Sequence, residues 1–222
     1  QLEDPVPEMV QAADVQLPPY YPDTETVRDD LARHYNNIAA MDRQVGDILD
    51  RLEADGLADS TIVIWTTDHG DGLPRAKREL FDSGIHVPMI IRWPKTYRPA
   101  GVLPGQIDSR MISFIDLAPT ILTLAGAPVP AYMQGRSFLP GAGFPRQYIF
   151  ASRDRIDEVA DRQRAVRDDR YKYIRSWYPN QPGGHALGFR ENVDMVREMR
   201  TMYREGNLNA VQRQWYEPPG EE

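Results

Sequence analysis

Six consecutive residues, Thr61 to Thr66, are all β-branched or aromatic, and they show no apolar/polar alternation. Such a run reads as a strand buried on both faces, of the kind found inside a parallel sheet. It ends at Asp68-His69, where Gly70, Gly72 and Pro74 turn the chain into a loop that leads to Lys77. In open α/β sheets, ligands bind in the crevice beyond the carboxyl ends of the strands. A carboxylate, an imidazole and an ammonium group delivered there make this stretch half of a candidate active site.

The segment before the strand supports an α/β reading. Between Asp23 and Gly56, Val27, Leu31, Tyr35, Ile38, Met41, Val45, Ile48, Leu49 and Leu52 recur at spacings of three and four. This predicts one long amphipathic helix, with Thr26-x-x-Asp29 as its start and Gly56 as its stop. Helix followed by buried strand is the order of a doubly wound sheet. His34 lies beside the apolar stripe and reads as a packed or surface residue. Residues 1–22 are Pro-rich and aperiodic, an extended lead-in that serves as a linker or as a cleft wall.

Beyond the loop, Lys77 to Ser83 is a short charged segment, and Val87 to Trp93 reads as a second buried strand. Ile112 to Ile115 is predicted as a short strand. Asp116 then caps a helix through Ala125, with Pro119 in its first turn. Composition changes near Leu139 to Pro145. After it, Gln147 to Ser152, Gln163 to Arg167 and Tyr171 to Ser176 predict a small antiparallel subdomain, its last two strands joined by Asp168-Asp169-Arg170. Glu191 to Gln214 reads as helical and 217–222 as a disordered tail. The expected division is therefore lead-in 1–22, α/β part 23–145, antiparallel subdomain 146–216 and tail 217–222.

Composition removes several function classes. A net charge of −7 without a basic cluster argues against a nucleic-acid partner. No apolar run approaches the ~20 residues of a membrane helix. The absence of cysteine excludes disulfides, thiolate metal sites and a cysteine nucleophile. The chain starts Gln-Leu-Glu-Asp, which suits a processed or cut product, so a missing signal peptide says nothing about export.

Asp68 oxygen with His69 nitrogen suits a divalent cation, and oxygen-rich company favours Ca²⁺ or Mg²⁺. Two ligands are too few for Ca²⁺, which takes about six to eight. On residues alone, a turn-capping Asp68 and a locally bonded His69 remain an alternative. Lys77 suits an anionic oxygen, or else is a solvated surface lysine. Arg75 and Arg78 beside it read as solvated or paired with Glu79 and Asp82. Ser83 and Ser113 lack a nucleophile elbow, and no phosphate-binding glycine loop follows a strand.

The run from Thr61 to Gly70, then Gly72-Leu-Pro-Arg-Ala-Lys77, then Leu80-Phe-Asp-Ser-Gly-Ile-His-Val-Pro88, resembles the C-terminal half of a sulfatase, within the alkaline phosphatase superfamily. Tyr21-Pro-Asp-Thr-Glu-Thr-Val-Arg-Asp-Asp-Leu31 is similar to the heparan N-sulfatase (sulfamidase)-like branch. Asp116 to Gly126, Gln134 to Leu139, Arg164 to Arg167 and Tyr171 to Ile174 extend the resemblance. It implies an alkaline-phosphatase-like α/β fold with a central, mostly parallel sheet and a small C-terminal antiparallel subdomain. It also implies Asp68 and His69 as Ca²⁺ ligands (Mg²⁺ or Mn²⁺ as lesser alternatives) and Lys77 as the sulfate-contacting lysine. His86 stands where the family often has Arg and reads as structural.

Sulfatases carry an Asp-Asp metal pair and a formylglycine nucleophile, made from Cys or Ser within Cys/Ser-x-Pro-x-Arg, in their N-terminal half. This sequence has no such motif. The expectation is therefore the C-terminal portion of a sulfatase acting on sulfate esters or sulfamates of sugars, inactive alone and partnered by its N-terminal half. Two rivals remain: a phosphonate monoester or phosphodiester hydrolase of the superfamily, and an inactive binding or scaffolding fragment. His185, in a Gly-rich loop, reads as structural or as lining the substrate mouth. A periplasmic, secreted or lysosomal setting follows from the family, and a homo-oligomer stays open.

Overall fold

The computed structural model of the chain describes residues 9–143 and 145–219. The first eight residues of the expected lead-in, Phe144 in the expected boundary and the last three of the expected tail lie outside them. Helix α1 (Glu25–Ala54) begins two residues upstream of its expected capping box. Thr24, in extended conformation, accepts the Val27 amide on its side-chain oxygen at 3.3 Å, so Thr26 already lies inside the helix. Gly56 ends it as expected, at φ 69°: Gly56 N–H donates to Glu53 and Leu57 N–H to Leu52, a paired closure that needs a left-handed residue.

The core gathers at the N-terminal half of α1. Val27 and Leu31 pack with Met195, Val196 and Met199 of α4 (Asp194–Arg204), with Val15 and Tyr21 of the lead-in, and with Trp215 and Tyr216. The lead-in is thus a wall of the core rather than a free linker. Tyr21 Oη donates to the Pro74 carbonyl at 2.8 Å, which joins that wall to the candidate loop. The far half of the α1 stripe is covered less, with Ile48 68% exposed. The predicted helix over 191–214 is split in two. Gly206, at φ 76°, closes α4, and Asn209 caps a separate short helix α5 (Ala210–Arg213).

Strand β1 (Val63–Thr66) stands where the sequence placed it, but its surroundings differ from the expectation. It pairs antiparallel with β2 (Met89–Arg92), in register Val63↔Arg92 to Thr66↔Met89. All four β1 residues are half-buried, because one strand neighbour leaves an edge and part of each face open. The short helix α2 (Asp82–Ile85) lies between the two strands in sequence.

The expected strand at 112–115 is absent; 114–116 form one 3₁₀ turn leading into α3 (Leu117–Leu124). Asp116 does not cap α3. Its buried carboxylate accepts the Ser113 and Arg136 amides at 3.0 and 2.9 Å and pairs with Arg146, which pins residues 113–146 together.

The antiparallel subdomain forms as expected, in the order β3-β4-β5: Ile149–Ile156, Val159–Arg167 and Lys172–Ser176. Asp168 organises the second hairpin by accepting the Arg170 and Tyr171 amides. The first two strands run longer than expected, since Arg153 to Arg162 is a charge-rich stretch without an apolar pattern. Among the described residues, no helix is long and apolar enough to cross a membrane.

Candidate active site

Where β1 ends, the backbone leaves the pleat, and adjacent residues can turn toward one site. Thr66 Oγ1 anchors the strand end to the Pro88 carbonyl at 2.8 Å, and Thr67 Oγ1 donates to His69 O at 3.2 Å. Asp68 and His69 then face each other, with Oδ1 to Nε2 at 3.5 Å. His69 Nδ1 lies 2.7 Å from the Gly70 carbonyl, which can only accept, so Nδ1 carries the proton. In the neutral ring, Nε2 therefore presents a lone pair toward a carboxylate oxygen. Two lone-pair donors facing each other at the rim of the fold fit a shared divalent cation.

The pair is only part of a shell. Among the described residues, no three His, Cys, Asp or Glu converge on one point. The side chain of Asp68 is 83% exposed, open on the side away from His69.

The loop carrying these residues is fastened by close backbone approach. Gly70 N–H donates to the Gly84 carbonyl at 3.0 Å, and a Cβ at Gly70 would sit 1.8 Å from Ser83 O. Gly84 is equally constrained, with Glu79 O 2.2 Å and Ala76 O 2.4 Å from where its Cβ would be. Helix α2 thus presses directly on the loop, and neither contact tolerates a side chain. From α1, His34 Nε2 reaches Asp71 Oδ1 at 3.2 Å. His34, read as a packed or surface residue, holds the loop to the helix.

Lys77 shares this loop through its amide, which donates to Asp71 O at 2.8 Å. Its ammonium lies 5.4 Å from the centre of the Phe189 ring, and no contact joins it to Asp68 or His69 among the described residues. Arg75 and Arg78, which bracket it, both have positive φ, 63° and 72°, a costly backbone for non-glycine residues. Both are half-buried, and among the described residues neither pairs with Glu79 or Asp82. Arg75 stacks on Tyr20 and Phe81, while Arg78 pairs with Asp157 at 2.8 Å and lies over Phe189. Asp82 instead takes Lys172 and Arg167 of the antiparallel sheet.

Glu79 is the anchor that sequence reasoning missed. Its buried carboxylate accepts from Arg153 at 2.6 Å, from Arg190 at 2.6 Å and from Trp215 Nε1 at 3.3 Å. Arg153 also pairs with buried Asp161 and donates to Arg78 O at 2.7 Å. Two carboxylates and two guanidiniums so balance within the fold, and they clamp the Lys77 segment between β3, β4 and the C-terminal region. His185 sits against this cluster; burial pushes its imidazole below the usual range, and its Nε2 has no hydrogen-bond partner among the described residues. His86 is exposed, and its amide closes α2 on Asp82.

Residues 11–127 match the Sulfatase family, and residues 75–217 match the family described as N-sulphoglucosamine sulphohydrolase, C-terminal. An ulvan-active sulfatase of Formosa agariphila is 43% identical over 201 residues, covering 90% of this chain and 33% of that protein. Human N-sulphoglucosamine sulphohydrolase is 32% identical over 148 residues, covering 63% of this chain and 29% of that one. A solved 2-O GAG sulfatase superposes with TM-score 0.57 at 26% identity, over 68% of this chain and 34% of that chain. A protein solved with its substrate D-glucosamine-2-N,6-O-disulfate superposes with TM-score 0.54 at 28% identity, over 67% and 31%. The chain spans about a third of the length of the curated relatives it matches. These neighbours carry the alkaline-phosphatase-like α/β fold, of which this chain is a C-terminal portion. The chain belongs to the sulfatase family, in its N-sulphoglucosamine sulphohydrolase-like branch.

Proposed function

We propose that this chain forms the C-terminal part of a Ca²⁺-dependent sulfatase that hydrolyses sulfate esters or sulfamates of a saccharide. The observation that carries this reading is the Asp68–His69 pair, two lone-pair donors turned toward each other at the end of β1. They would hold Ca²⁺ together with ligands from an N-terminal half, which would also bring the formylglycine nucleophile. When bound, the cation supplies charge that orients the sulfate and favours the ionised nucleophile. Lys77 would hold a sulfuryl oxygen and stabilise the charge that grows there as the sulfur–oxygen or sulfur–nitrogen bond breaks. The Glu79 clamp and the His34–Asp71 contact fix the loop for this work. Relatives that act on ulvan, and a neighbour solved with a sulfated glucosamine, support a sulfated sugar as substrate.

The surface supports a partner half. The accessible area is 14701 Å². A compact monomer of 25.4 kDa would present roughly 10,000 Å². Apolar residues stay exposed on several elements, Ile48 on α1, Ile90 on β2, and Ile115 and Ile121 at α3, and leave apolar surface for an N-terminal half to cover.

The test is turnover by this chain assembled with its N-terminal half, on aryl sulfate, sulfamate and aryl phosphonate, with Ca²⁺ added or chelated. Sulfate or sulfamate hydrolysis that chelation abolishes supports the proposal. A preference for the phosphonate reassigns the site. No turnover on any substrate, together with tolerance of Asp68→Ala, leaves a binding module.

A further inference from the structure

The outward face of the β3-β4-β5 sheet carries chemistry that the catalytic reading does not use. Register aligns Phe150, Val166 and Tyr173 across the three strands, and the next row brings Ser152, Arg164 and Arg175 together. Phe150 is 71% exposed and Tyr173 is 53% exposed. Trp177 continues the row, with the Arg175 and Arg164 guanidiniums 4.8 and 5.9 Å from its ring centre. Arg162 stands beside them on β4. Among the described residues, one carboxylate answers these three cations: Asp154 lies 2.8 Å from Arg164 and 3.5 Å from Arg162. The face is therefore net positive on a chain of net charge −7. The opposite face is the buried one, with Ala165 on it and with Arg153 and Asp161 joined in the Glu79 clamp.

We infer that this face binds an anionic, sulfated sugar chain outside the active site. It rests on the proposed function only for the sulfated nature of that chain. Flat aromatic rings beside guanidiniums match a sulfated pyranose: rings accept the apolar C–H side of the sugar, and the planar fork of Arg grips an oxyanion with two hydrogen bonds. A protein interior would not favour this face, because burying Arg175 without a carboxylate partner is costly. The sign of the local charge against the net charge selects an anion. Such a surface would keep the enzyme on a polymer between hydrolytic events.

The test is affinity electrophoresis of the chain in dextran sulfate, unsulfated dextran and polyphosphate, with Arg175→Glu and Trp177→Ala compared separately. Both positions are exposed, and circular dichroism checks that each variant stays folded. Expected are retention in dextran sulfate, none in dextran, weaker retention in polyphosphate, and at least a tenfold affinity loss in either variant. Lys77→Ala should leave retention unchanged. Equal retention by polyphosphate would reduce the face to a charge patch and overturn the inference. Loss of retention in Lys77→Ala but in neither face variant would overturn it too, by placing binding at the active site. A dimer that Arg175→Glu dissociates without any change in retention would make the face an interface between copies. Failure of turnover with dextran sulfate binding intact would sink the catalytic proposal and leave this one standing.

Discussion

His34 Nε2 meets Asp71 Oδ1 at 3.2 Å, which ties helix α1 to the loop of Asp68, His69 and Lys77. The His34 hydrogen bond is the largest influence on Asp71; it outweighs burial and holds the carboxyl below the usual carboxylate range. The sign follows from that direction. A depressed folded pKa gives stability that is complete above the unfolded value, about 3.9, and is lost as pH falls through the lower folded value. Asp71 is largely exposed, so solvent screening keeps the contribution small, at most about 1 kcal/mol. His34→Ala should therefore raise the Asp71 carboxyl toward its ordinary value, as read by an NMR titration. Its urea midpoint should fall slightly at neutral pH, and the gap to the unsubstituted chain should close below about pH 4. A gap that stays open in acid would mean His34 acts through packing alone.

Glycines on either side of β1 are required for different reasons, and substitution separates them. At Gly56 the need is conformational: φ is 69° and nothing lies within 4 Å of an added Cβ. Gly56→Ala should cost about 1–2 kcal/mol, the penalty for a left-handed L-residue. At Gly70 the need is space, because the added carbon meets the Ser83 carbonyl at 1.8 Å. Backbone on both sides must move, so Gly70→Ala should cost about 3 kcal/mol or more and displace Asp68 and His69. Urea unfolding of the two variants gives the ranking. Equal losses would refute the close-approach argument.

Local sequence made part of this legible. The α1 stripe, the β1 run and its Asp68-His69 end, and the hairpin at Asp168 follow from periodicity and turn chemistry within a few residues. What lay beyond local pattern was partnership over distance. Glu79 reads as one more surface acid in a charged stretch, yet its partners stand 74, 111 and 136 residues away. The Thr61–Thr66 run carries no record of whether its neighbour is parallel, because pairing direction is set by the connection and not by the strand. Asp116 looked like a helix cap because Asp before a helix usually is one. Arg136 and Arg146, 20 and 30 residues on, claim its oxygens instead.

The clamp at Glu79 should behave as a balanced ionic cluster. Glu79 and Asp161 give two negative charges and Arg153 and Arg190 two positive ones, all buried. Glu79→Gln leaves one unanswered cation in the interior, which should cost about 3–5 kcal/mol. Adding Arg190→Met returns the cluster to one carboxylate and one guanidinium, so the double variant should be more stable than Glu79→Gln alone. Chemical denaturation of the single and double variants measures this. If the second substitution only adds to the first loss, charge balance is not what holds the cluster.

Removing the metal and removing the ammonium should fail in different ways. Asp68→Ala and His69→Ala each delete a donor from the proposed cation site, while Lys77→Ala deletes only a contact to the sulfuryl group. In the enzyme assembled with its N-terminal half, the first two should weaken Ca²⁺ binding by at least about tenfold, with turnover partly restored by excess Ca²⁺. Lys77→Ala should leave Ca²⁺ affinity unchanged and lower kcat by about 10²–10³, the usual cost of one preorganised charge-stabilising group. Calcium titration by calorimetry and steady-state kinetics on an aryl sulfate separate the two. A chelator should abolish turnover in the unsubstituted enzyme and remove whatever turnover excess Ca²⁺ restores to Asp68→Ala. Should Lys77→Ala change Ca²⁺ affinity as much as Asp68→Ala does, the ammonium belongs to the scaffold of the cation site, and its role at the sulfate must be withdrawn.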